Sequence, residues 1–115
     1  MNVVAKVLRS VAIWNFRRLG HASILDIPTH RFNDLRAALV TQGWRQTYEY
    51  DGIDAWIDYG KVILKKESIT LLLEWDNWSE GSIEGPRAEV AQIAERHGFS
   101  VTDAWRWETS GASGA

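Results

Sequence analysis

Four carboxylates and two indoles crowd one stretch of this chain, residues 74–85, which reads Glu74, Trp75, Asp76, Asn77, Trp78, Ser79, Glu80, Gly81, Ser82, Ile83, Glu84, Gly85. Carboxylate oxygens at such density suit a hard cation, and indole faces suit a stacked sugar or base. The spacing is not that of a calcium-binding EF-hand loop. The same residues also read as an acidic loop ahead of a helix, with Glu84 near the positive end of the dipole and Trp75 and Trp78 packing. The candidate ligand-binding set here is Trp75, Asp76, Trp78, Glu80 and Glu84.

Asp54 and Asp58, with Glu49 and Glu74, form a second acidic set. Paired carboxylates do general acid–base work when one is desolvated and its pKa rises. The sheet register derived below puts Lys65 beside Asp54 and Lys61 beside Asp58, which favours two ionised carboxylates and a structural role. His21, His30 and His97 have no metal-ligand spacing, and His97 suits the last turn of a helix. Ser23, near His21 and Asp26, does not make a triad by proximity alone. No cysteine is present, so neither a disulfide framework nor a thiolate zinc site is available. No glycine-rich phosphate loop occurs. The expectation is a protein with no catalytic residues, no metal site and no cofactor.

Charge is distributed unevenly. Residues 1–36 hold six Lys/Arg (Lys6, Arg9, Arg17, Arg18, Arg31, Arg36) against Asp26 and Asp34, a net of +4, whereas residues 37–115 carry −6. Such a split suits intrachain complementarity, head-to-tail association or an acidic partner. The basic N-terminal segment with its valines and Trp14 also suits a membrane surface or phosphates. Within a chain of pI about 5.9, nucleic-acid binding is not expected. No apolar run reaches the roughly 18 residues of a membrane span, and Arg9 interrupts the apolar stretch a secretion signal would need. These features point to a small soluble protein of the cytoplasm.

Two helices must frame the acidic sets. One is expected from Arg31 to Gln42, with Phe32, Leu35, Leu39 and Val40 as its apolar stripe. Gly43 is a left-handed stop, and Trp44 folds back on Leu39 or Val40. The other runs from Pro86 to His97, with Val90, Ile93, Ala94 and His97 on one face and Gly98 as its end. Residues 3–19 allow an amphipathic helix, aligning Val4, Val7, Val11 and Trp14, and also a strand through Val11-Ala12-Ile13. Ile24 to Ile27 reads as a short extended segment, and Phe99, Val101, Trp105 and Trp107 alternate as a last strand.

Between the helices, Asp51-Gly52, Tyr59-Gly60 and Glu67-Ser68 mark two-residue turns, so residues 45–76 are expected to form a four-stranded antiparallel meander. Its core face is nearly all apolar. Its opposite face has rows Glu49–Asp54–Lys65–Thr70, Thr47–Trp56–Ile63–Leu72 and Arg45–Asp58–Lys61–Glu74, the last alternating in charge. The fold expected is therefore α+β, a two-layer sandwich of a four- to five-stranded antiparallel meander with two helices on one face. It occupies residues 1–109 as a single domain, with 110–115 as a flexible tail.

The strip Trp56, Ile63 and Leu72, rimmed by Asp58, Lys61 and Glu74, resembles a protein–protein contact, apolar in the centre and charged at the edge. Residues 1–19 or 99–107 of the same chain could also cover it. The functional expectation is a non-enzymatic interaction module, of bacterial accessory or toxin-neutralising type, that binds a protein or itself through this face. The alternatives are a ligand- or metal-binding protein or hydrolase using loop 74–84, and weak nucleic-acid or membrane-surface binding by the N-terminal segment.

Overall fold

The computed structural model describes residues 3–108, leaving the expected tail 110–115 outside the described residues. Eight elements follow in order: α1 (Val3–Arg18), β1 (His21–Ile27), α2 (Thr29–Thr41), β2 (Arg45–Glu49), β3 (Tyr59–Lys66), β4 (Ile69–Asp76), β5 (Glu80–Pro86) and α3 (Arg87–His97). The strands form one antiparallel sheet in the order β1-β5-β4-β3-β2. The class is α+β, as the sequence implies, and the N-terminal segment resolves to helix.

Local chemistry decides the central hairpin. Lys66 pairs with Ile69 across Glu67-Ser68, and Leu64–Leu71, Val62–Leu73, Ile63–Leu72 and Lys61–Glu74 follow in the expected register. Period-two alternation then sends Val62, Leu64, Leu71 and Leu73 to one face, where all four are fully buried. They share one core cluster with Ala22, Ile24 and Ile83 of the neighbouring strands, Phe32, Leu35 and Leu39 of α2, and Val90, Ile93 and Ala94 of α3. Gly43 adopts a left-handed φ of 103°, and the Trp44 amide donates to the Leu39 carbonyl at 3.0 Å, closing α2 as expected. Val40, by contrast, points to solvent.

Three expectations are overturned. Residues 51–58 are a loop, so neither Asp51-Gly52 nor Tyr59-Gly60 is a hairpin turn, and Tyr59 opens β3. β2 pairs directly with β3, Arg45 opposite Lys65 and Gln46 opposite Leu64, with a bulge before Tyr48. Asp58 and Arg45 therefore leave the ion ladder, and Asp54 is not beside Lys65. The loop is tied internally, Ala55 to Gly52 and Ile57 to Asp54, by backbone hydrogen bonds of 3.0 and 2.9 Å.

Second, part of the acidic stretch is β5 rather than loop, and it sits between β1 and β4 inside the sheet. Its glycines make that position possible. A Cβ on Gly81 would lie 2.4 Å from the Phe32 ring, and one on Gly85 2.7 Å from Leu71. Third, residues 99–107 do not form a strand. Thr102 makes a single bridge to Ser23, and Arg106–Glu108 make one helical turn.

Candidate interaction surface

Trp56 and Trp75, assigned by sequence to two different sites, meet on the helix-covered face. Trp56 has a left-handed φ of 61°, an outlier for a bulky residue, which turns its ring inward against Gly60. The ring lies 6.3 Å from Phe32 and 6.4 Å from Trp75, and the Arg36 guanidinium stacks 5.0 Å above it. Its indole N–H donates to Glu49 at 2.8 Å, and that of Trp75 donates to Thr29 at 2.9 Å. The Trp56 bond, together with Gln46 and Arg36, holds the Glu49 carboxyl below its usual range against the opposing effect of burial. A cleft of about 180 Å³ remains among Thr29, Asn33, Arg36, Trp56 and Trp75. That is below the ~300 Å³ at which small-molecule pockets begin, and Arg36 already occupies an indole face.

On the other side of the sheet, the C-terminal segment seals one end. Ser23 and Thr102 exchange backbone hydrogen bonds of 2.9 and 2.8 Å. Arg106, buried, reaches onto the sheet, donating to Ser82 Oγ and the Glu80 carbonyl at 2.8 Å each and pairing with Asp76. Glu74 accepts from the Tyr59 hydroxyl at 2.6 Å and from the Trp107 indole at 3.3 Å. Burial, and then the bond to Glu74, push the Tyr59 phenol far above its ordinary range, so it stays a donor. Glu74 and Asp76 thus belong to a structural network, and Glu80 accepts from the Thr29 amide at 3.1 Å.

Burial pushes the Asp76 carboxyl up, but the Ser79 amide, Arg106 and the Trp78 amide outweigh it and leave its pKa lowered. A carboxylate with a depressed native pKa contributes stability above its unfolded value, about 3.9, and loses it as pH falls through the native value. Asp76→Asn should therefore be less stable than wild type at neutral pH. The gap should close below about pH 4, as read from urea midpoints across pH. A gap independent of pH would contradict this assignment.

The rest of the open face is a groove of about 410 Å³ lined by His21, Lys61, Ile63, Ser68, Thr70, Leu72, Glu84 and Pro86. Of the expected contact strip, Ile63, Leu72 and Lys61 lie here together, while Trp56 and Asp58 do not. Glu84 pairs with His21 at 3.0 Å along the groove wall. Among the described residues no cluster of three or more His, Cys, Asp or Glu could hold a metal ion.

The most exposed apolar surface is elsewhere. α1 rests on the body through Phe16, which is buried with its ring edge-on to His21 at 6.0 Å, and Arg17 pairs with Glu108 at 2.7 Å. At 3.6 residues per turn, Val7, Val11 and Trp14 fall on the side of the helix opposite Phe16. They are 54%, 51% and 60% exposed, and Leu8 and Leu19 are also exposed. The sequence marked this stripe but not its direction. The loop between β2 and β3 has a second patch, with Ile53 fully exposed and Ile57 at 66%, and Trp78 is exposed on the adjoining turn. The two loops are joined by the Asn77 amide donating to the Asp58 carbonyl at 3.0 Å. Sequence alternation concealed this patch by placing Ile53 and Ile57 on a buried face.

No helix of the described residues is long and apolar enough to cross a membrane. Comparison with protein-family models, curated proteins and solved structures gives no match to the chain.

Proposed function

We propose that this protein is a non-enzymatic protein–protein interaction module that engages its partner through the outward stripe of α1. The observation that carries this is the exposure of Val7, Val11 and Trp14 on one side of a helix whose other side, through Phe16, already contacts the body. A helix apolar on both sides has more apolar surface than its own chain covers, and contiguous exposed patches mark contact sites. The foot of α1 adjoins the Ile63–Leu72 groove through His21, which touches Phe16 and lines the groove, so the groove lies within reach of the same partner.

A stripe used only between molecules contributes nothing to the fold of an isolated chain. Trp14→Glu in dilute solution should change the unfolding free energy by less than about 0.5 kcal/mol, the usual range for surface substitutions. Urea denaturation followed by far-UV circular dichroism measures it. A loss of about 2 kcal/mol or more, typical of a core change, would show that Trp14 packs on its own body and would remove the docking surface.

A further inference from the structure

Resting on that interaction role, we infer that the partner is a second copy of this chain, whose acidic β2–β3 loop receives the α1 stripe. The two patches are complementary in charge and alike in apolarity. Residues 1–19 carry Lys6, Arg9, Arg17 and Arg18 and no acid, while residues 49–58 carry Glu49, Asp51, Asp54 and Asp58 and no base. Arg17 is committed to Glu108 and Glu49 to Arg36, whereas Arg18 stays with the stripe, its guanidinium 5.1 Å above the Trp14 ring. Each set accompanies exposed apolar side chains: Val7, Val11 and Trp14 on the helix, Ile53 and Ile57 on the loop, with Trp78 beside it. An apolar centre with an oppositely charged rim on each side is the composition of a specific contact.

The sheet topology keeps the two anchor points apart within one molecule. α1 joins the sheet at His21, on edge strand β1, at the end where His21 pairs with Pro86. The loop joins at Tyr59, beyond which only edge strand β2 lies, at the end where Tyr59 pairs with Asp76. These are diagonally opposite corners. Two distinct patches that match each other either meet twice across a two-fold axis in a closed dimer or join copies head to tail in a ring or an open array. Both forms use the same α1–loop contact, and both require association.

Charge exchange between the patches tests it. One variant carries Lys6→Glu and Arg18→Glu, and the other carries Asp51→Lys and Asp58→Lys. Sedimentation velocity should show wild type associating, each variant alone weakened at least tenfold in dissociation constant, and the equimolar mixture recovering a heavy species. Circular dichroism confirms that each variant is folded, and Ile57→Ser gives a second loop variant that should weaken association without altering charge. Wild type monomeric at every concentration, or swapped variants that associate as wild type does, would overturn the inference. So would a monomer that binds phosphatidylserine vesicles through Trp14, which would assign the stripe to an anionic membrane surface. Failure of this kind leaves Trp14→Glu neutral for stability, whereas failure of the interaction role itself makes that variant destabilising.

Discussion

Arg106→Ala is expected to lower the unfolding free energy by about 3–5 kcal/mol, the range for removing one partner of a buried ion pair. The guanidinium contacts Ser82, the Glu80 carbonyl and the Asp76 carboxylate, and its side chain is only 7% exposed. Without it, Asp76 keeps a desolvated charge whose remaining donors are the Trp78 and Ser79 amides. Domains of this size are stable by roughly 5–15 kcal/mol in total, so the loss is a large share of the whole. The double variant Arg106→Ala/Asp76→Ala should lose little more than the single one, because removing both partners leaves no stranded charge. Chemical denaturation of the four proteins in that cycle measures the coupling. Additive losses would mean that the two side chains act independently.

Phe32→Ala should be about as damaging, again about 3–5 kcal/mol, for a different reason. Phe32 is fully buried and packs against the bare backbone of Gly81 near the start of β5, with Trp56 on its flank. No neighbouring side chain on Gly81 can collapse into the space, so the cavity term adds to the lost transfer energy. The urea midpoint should fall with little change in slope. A cost below about 1.5 kcal/mol, the range of a tolerated apolar swap, would indicate that the Trp56 loop relaxes into the void. It would also weaken the assignment of that loop as a packed element.

How much of this could be read from the chain varies with what each residue's environment is made of. The β3–β4 hairpin was legible from Lys61 to Glu74, where turn, alternation and cross-strand charge all agree, but its first two residues, Tyr59 and Gly60, read as a turn. The ends of α2 and α3 were legible for a similar reason, since a left-handed glycine followed by an aromatic closes a helix by local bonds alone. β5 was hidden because Glu80, Gly81, Ser82, Gly85 and Pro86 are poor strand formers. Its place is set by Phe32 and Leu71, which need bare backbone beneath them. Those contacts are long-range and leave no periodic trace. The 51–58 loop misled in the opposite way. Ile53, Ala55 and Ile57 alternate as a strand does, but Trp56 gains more by turning inward beside Phe32, Trp75 and Arg36 than by pairing. That choice exposes Ile53 and Ile57.

The candidate surface was legible in part. Ile63, Leu72 and Lys61 share the open groove as their register requires. The coverage of Glu74 and Asp76 by Arg106 and Trp107 was not readable, because nothing in the spacing of a short C-terminal segment fixes where it lands. The α1 stripe was visible as a helical period, but a period says only that residues share a side. Which side meets the body is decided by Phe16 against His21, a tertiary contact.

Sedimentation equilibrium of the unmodified chain over a wide dilution series, at low and high salt, bears most directly on α1. If the outward stripe meets the acidic loop of another copy, the average mass climbs above one chain with concentration and drops when salt screens the rim charges. A mass of one chain at every concentration and both salt levels would contradict that contact.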